Sequence, residues 1–304
     1  LRHAFGMPRV PLPDSLGGAF TVAEGARAGL GEGRMYGSDL SRPTHGVRAT
    51  HEPTTLRDLA ATTTLALPDD SAFSHLTAAR LWGLPLPDRR AGELAGQPLD
   101  VMRPTSSARI RRAGCHGRRG LEARQVQLHR GVRVTGLADT WCDLGEVLAL
   151  DDLVVVGDAV VRRLQGSLAL EAALRSRVRP RGAVVLRKAL GLMRLGSDSP
   201  METRCRLLFH RSGLPEPELN GVISRGSGGG FLCRSDFVWR ARRVIAEYQG
   251  ADHFASFERG DDDISRRLLA EDDGWKYVEL TKRDYFHRGR RAQLLARLAA
   301  YLLD

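Results

Sequence analysis

The chain has 304 residues, 42% hydrophobic and 27% charged, which is enough for two or three domains with true cores and excludes wholesale disorder. No run of 18 uncharged apolar residues occurs, so a helical membrane span is excluded. The formal net charge of +10 is unevenly spread: residues 1–196 hold 28 Lys/Arg against 19 Asp/Glu, and residues 197–304 hold 18 against 17.

Nine basic residues against Glu122 alone lie between Arg103 and Arg133, and nine against Glu171 alone between Arg162 and Arg194. Such clustering predicts a polyanion partner held by the N-terminal part, with Arg109, Arg111, Arg112, Arg118 and Arg119 as candidate phosphate contacts. A solvated Arg-rich face is the plainer alternative. The first twenty residues lack the layout of a secretory signal, and Cys115, Cys142, Cys205 and Cys233 are too widely spaced for a zinc finger or a disulfide scaffold. A reduced, cytoplasmic protein is the expectation.

In chain order, Thr21-Val-Ala-Glu24 is a capping box that opens a short helix to about Ala28. A second short helix is predicted over 31–36 and a strand over 40–49. This is the outline of a small winged helix-turn-helix domain across 15–66. Helices over 54–67 and 74–84 follow, then short strands from 99 to 134, then helices over 137–144, 150–164, 168–178 and 181–195. Residues 67–196 read as an Arg-rich mixed α+β docking region, bounded by the polar stretch Leu195-Gly-Ser-Asp-Ser-Pro200.

The remaining residues, 197–304, have clearer punctuation. Ser199-Pro-Met-Glu202 supplies an N-cap, a proline at the first helical position and a glutamate two positions later, for a helix to about Arg211. Strands follow over 218–224, 231–239 and 244–249, then a helix over 262–273, a strand over 275–281 and a helix over 290–303. The order is αβββαβα, and the whole chain is expected to be an α+β or α/β multidomain protein.

Asp236 and Glu247 lie on neighbouring strands of a predicted hairpin. With Ala241 and Arg242 at its centre, the two carboxylates face each other with Cβ atoms ~5 Å apart, and Gln249 shares their face. Like charges so placed are unfavourable unless a cation sits between them, and paired carboxylates suit Mg²⁺ or Mn²⁺.

Five segments, SPMETR, SDFVW, VIAEYQGADHF, DDDISRRL and DGWKYVEL, together resemble the very-short-patch-repair-like branch of the PD-(D/E)xK nuclease superfamily over about residues 197–304. The resemblance implies a restriction-endonuclease-like core that cuts DNA, with double-stranded DNA as partner and Mg²⁺ or Mn²⁺ as cofactor. It makes Asp236 the central metal carboxylate, Glu247 the second and Glu202 the acid on the first helix. It also makes His253 a proton-transfer group and Asp263 an acid on the following helix. Gln249 departs from the pattern, since it stands where the family has lysine or aspartate; Arg234, Arg266 or Arg267 are the cations that would substitute. The N-terminal part resembles the AbiEi-type antitoxin architecture often fused ahead of such domains.

Individual residues also have ordinary explanations. Glu202 fits a capping box with Ser199, acids at 261–263 suit a helix start, and a histidine after a strand is commonly a surface residue. The first reading is a DNA endonuclease. The second is an antitoxin-type DNA-binding regulator with an inactive nuclease domain, and the third a module for another polyanion such as RNA.

Overall fold

A computed structural model describes residues 10–87, 97–225, 230–250 and 267–303. The protein is mixed α+β, with its described strands in three sheets. Its contacts form two compact units: residues 1–147 with 172–181, and residues 148–171 with 182–304. Among the described residues no helix is long and apolar enough to cross a membrane.

In the first unit, strand β1 (Ala19–Thr21) pairs antiparallel with β2 (Val47–Ala49) around the short helices Val22–Arg27 and Glu32–Met35. The capping box at Thr21 forms in both directions: its Oγ1 accepts from Glu24 N–H, and Glu24 accepts from Thr21 N–H at 2.7 Å. Phe20, Leu30, Met35 and Leu40 pack beneath it. The strand expected over 40–49 shrinks to Val47–Ala49, with an isolated bridge at Ser41. Pro43 withholds a ladder donor there, and Gly46 turns the chain at φ +79°.

Helix Leu56–Thr64, capped by Thr55 and Asp58, leads to strands β3 (Ala72–Phe73), β4 (Leu99–Arg103), β5 (Cys115–Arg119), β6 (Val126–His129) and β7 (Val132–Thr135). They form one sheet in the order β5-β4-β3-β7-β6. Ala60, Phe73, Ala78, Val101 and Val134 close its core, and helix Leu137–Leu144 buries Trp141.

In the second unit, helix Pro200–Arg211 precedes β8 (Glu218–Ser224), β9 (Phe231–Trp239), β10 (Val244–Gln249) and β11 (Lys276–Thr281). The sheet order is β11-β10-β9-β8, with β10 and β11 parallel and the other pairs antiparallel. A parallel neighbour requires a crossover, and residues 267–272 of that connection are helical. One sheet face buries Phe237, Trp239, Val244 and Ala246 against Phe209, Leu294 and Leu298; the other gathers Val238, Ile245, Trp275 and Tyr277. The chain closes with helices Lys282–Phe286 and Arg288–Leu302.

The units do not meet at the boundary expected near residue 196. Helices Leu150–Leu164 and Ala183–Leu192 belong with the second sheet, so the expected docking region is divided. A buried polar knot explains the assignment. The Asp158 carboxylate accepts from Arg206 at 2.8 Å, from Thr203 Oγ1 at 2.9 Å and from Arg194 N–H at 2.8 Å, while Arg204 pairs with Asp152 and Arg211 with Asp151. Arg206 and Asp158 are almost wholly inaccessible, and removing either partner would strand a buried charge.

Candidate functional site

The β9–β10 hairpin turns through Arg240–Arg242 and Arg243, the latter left-handed at φ +50°. Its register pairs Val244 with Trp239, Ile245 with Val238 and Ala246 with Phe237; continued by one residue, that register would bring Glu247 to Asp236. At that step the ladder stops. Tyr248 N–H donates to Asp236 Oδ2 at 2.8 Å, so a carboxylate occupies the place of a backbone acceptor where the strands part. The β8–β9 register sets Asn220 opposite Asp236 on the other side, between the pairs Leu219–Phe237 and Gly221–Ser235.

Asn220 is left-handed at φ +50°, a conformation that Asn tolerates better than most residues. Its amide donates to Glu202 Oε2 at 2.9 Å and to Gly196 O at 2.6 Å. Glu202 is buried at the first turn of helix Pro200–Arg211, and its Oε2 also accepts Asp198 N–H at 2.8 Å. Ser199 caps Glu202 N–H, but the glutamate does not return the bond to Ser199. Its carboxylate is committed to Asp198 and Asn220 instead, so the capping-box explanation covers only half of what it does.

Burial is the main force on Asp236, pushing its carboxyl up to about 7. The Tyr248 N–H opposes that rise, the charges of Glu202 and Glu247 add to it, and Arg234 offsets part. Glu247 is itself buried, and its Oε2 accepts from the Tyr277 hydroxyl. Arg267 lies over the Tyr277 ring at 5.9 Å and pairs with Glu271 at 3.0 Å and Glu279 at 3.5 Å. Arg234 is exposed and holds Asp198 at 2.6 Å. Gln249 ends β10 beside Thr281, half-buried.

The structure therefore brings Asp236, Glu247 and Glu202 into electrostatic reach, with Arg234 beside Asp236 and Arg267 behind Tyr277. His253, Asp263 and Arg266 lie outside the described residues. Tyr277, Asn220 and Asp198 were not among the residues singled out from the sequence. The Asn-Gly dipeptide inside a strand was a usable sign of the left-handed backbone at Asn220; Tyr277 had no such sign, because its role depends on strand order. Cys205 lies close to the carboxylates, and burial drives its thiol far up, so it is inert.

Two hard carboxylates in a site where their own charges collide suit Mg²⁺ or Mn²⁺, which take one or two carboxylates and keep several waters. Among the described residues no three His, Cys, Asp or Glu side chains converge into a closed metal cage. An Asp236–Glu247 pair would need solvent to complete any such site.

The candidate phosphate contacts divide. Arg112 donates to His45 O and Ala66 O, and Arg118 is held by Asp100 and Glu146, so both secure the fold of the first unit. Arg109 and Arg111 are exposed, and Arg119, also exposed, touches only Thr105 O among its described partners.

Two uncharacterized proteins of Mycobacterium tuberculosis, one from strain CDC 1551 and one from strain H37Rv, are each 29% identical to the chain over 265 residues. The match covers 86% of this chain and 92% of each relative, a length that neither unit alone supplies. No protein-family profile and no solved structure matches the chain.

Proposed function

We propose that the protein is a divalent-metal-dependent DNA endonuclease of the restriction-endonuclease-like class, with its first unit contributing contacts to the DNA backbone. The observation that carries this reading is the Asp236 carboxylate. It is half-buried where two strands part, opposed by the charges of Glu247 and Glu202, and its proton affinity is raised to about 7. A structural role alone gives no reason to assemble three acids there, since a neutral residue would cost less.

Asp236 and Glu247 would hold the metal. A bound Mg²⁺ or Mn²⁺ supplies an acidified water and charge stabilisation for an attacked phosphodiester. The chain's own residues do the positioning. Tyr248 N–H fixes the Asp236 carboxylate, Tyr277 fixes that of Glu247, and Asn220 with Asp198 N–H holds Glu202 facing the pair. Gln249 supplies no charge, and Arg234, whose charge acts on Asp236, is the described cation assigned to balance anionic substrate.

The regulator reading shares the DNA contacts and differs only in cleavage. Incubation of the full chain with plain, mismatched and base-modified duplexes under Mg²⁺ and Mn²⁺ separates the two. The endonuclease reading expects cut strands on at least one substrate that disappear with EDTA. Intact strands on every substrate, with the duplexes nonetheless bound, would leave the regulator.

A further inference from the structure

Within the first unit lies a cavity of about 730 Å³, walled by β5, the end of helix Leu137–Leu144 and residues 176–181. The third wall has an unusual origin. The chain leaves the second unit after residue 171, gives residues 172–181 to the first and returns at 182.

Seven arginines line this cavity against Glu122, Asp143 and Glu146. Ion pairs account for several. Arg124 and Arg177 hold Asp143, Arg118 bridges Asp100 and Glu146, and Arg181 reaches Glu146 at 3.3 Å. Glu122 accepts Thr105 N–H. Arg109, Arg119 and Arg179 have no acidic partner among the described residues. Gly117 is what lets Arg109 lie against β5, because a Cβ there would stand 2.2 Å from Ile110 O and 2.8 Å from Arg109 Cγ. Arg179 is held left-handed at φ +49°, as is His75 on the same cavity. Side chains other than glycine rarely adopt that conformation, and Pro180 stiffens the chain after it.

Uncompensated guanidinium groups on a concave wall focus positive potential inward. Guanidinium groups match phosphate oxygens two at a time. The volume falls in the range of roughly 300–1,000 Å³ typical of small-ligand sites, well beyond what a single phosphate ion fills. We propose that this cavity is a phosphate pocket for a nucleotide, entering free or as the terminal phosphate of a DNA strand. Its chemistry does not require the carboxylates of the second unit, so it stands or falls apart from cleavage.

The test uses the full chain in EDTA, where cutting cannot occur. Fluorescence anisotropy compares 3′-labelled oligonucleotides with a 5′-phosphate and with a 5′-hydroxyl, and competition compares ATP and AMP with adenosine. The pocket predicts at least about a tenfold preference for the phosphorylated member of one comparison. Displacement by ATP and AMP identifies the free nucleotide; preference for the 5′-phosphorylated strand without that displacement identifies the strand end. The double variant R109A/R179A, both positions exposed, should lose about tenfold or more of that preference while retaining its melting temperature. R242A, which removes an exposed arginine of the second unit, should lose none of it. Equal binding with and without phosphate in both comparisons would overturn the inference, as would R109A/R179A behaving like R242A.

Discussion

Replacing Asp236 by asparagine keeps the shape and the acceptor for Tyr248 N–H while removing the charge. In the folded chain burial and the neighbouring carboxylates raise this carboxyl from 3.8 to about 7. Between about pH 4 and 7 the folded state therefore keeps a proton that the unfolded state releases. Stability is full below the unfolded value and falls as pH rises through the folded one. A rise of that size corresponds to about 4 kcal/mol against the ionised form, and relaxation of the site reduces it to about 2–3 kcal/mol. Above pH 8 Asp236→Asn should consequently be more stable than wild type, by about 4–10 °C in melting temperature. At pH 5, where the folded chain keeps the proton but the unfolded chain already releases it, the gain should fall to about half, and below about pH 4 it should nearly vanish. Thermal unfolding followed by circular dichroism in EDTA at pH 5.0, 6.5 and 8.5 provides the readings. An advantage that does not change with pH, or a variant less stable at pH 8.5, would refute the reasoning.

Three further outcomes are expected. Glu146 is held down to about 2 by His75, Arg118 and Arg181, so its stabilising charge is present above about pH 4.5 and lost toward pH 2; Glu146→Gln should melt lower than wild type at pH 7, by less at pH 3, and converge with it only near pH 2. Tyr277→Phe deletes the hydroxyl that orients Glu247, and should reduce cleavage about tenfold at a stability cost of about 1 kcal/mol, read from single-turnover rates and urea unfolding. Arg206→Ala leaves Asp158 charged and buried, and should lose about 3–5 kcal/mol in urea unfolding, whereas a loss under 1 kcal/mol would show the polar knot to be dispensable.

Local signals in the sequence located most of the second unit's described elements. The cap at Ser199 and the proline at 200 set the start of the Pro200–Arg211 helix, and alternation in FLCRSDFVW and VIAEYQ gave both strands with the correct register. Pairing across a tight hairpin is fixed by the turn, and the observed ladder runs to Ala246 and Phe237, one step short of Glu247 and Asp236. What failed to show was non-local. The helix Leu150–Leu164 has its own caps and apolar stripe, and nothing local says which sheet buries it. That depends on Asp158 finding Arg206, 48 positions away. The Arg-rich segments were only partly legible for a similar reason. Composition records the arginines as a surplus, but Asp70, Asp100, Asp143 and Glu146 from other elements neutralise Arg103, Arg118, Arg124 and Arg177.

Cleavage of DNA by a divalent metal on Asp236 and Glu247 is open to direct assay. Supercoiled plasmid incubated with wild type, Asp236→Asn and Glu247→Gln, each in Mg²⁺, Mn²⁺ and EDTA, tests it most directly. Wild type should give nicked or linear product with metal and none in EDTA, and both variants should leave supercoiled plasmid while binding it within about threefold of wild type. Wild type that leaves the plasmid supercoiled and the mismatched and base-modified duplexes intact under both metals, or variants that cut as fast as wild type, would contradict it.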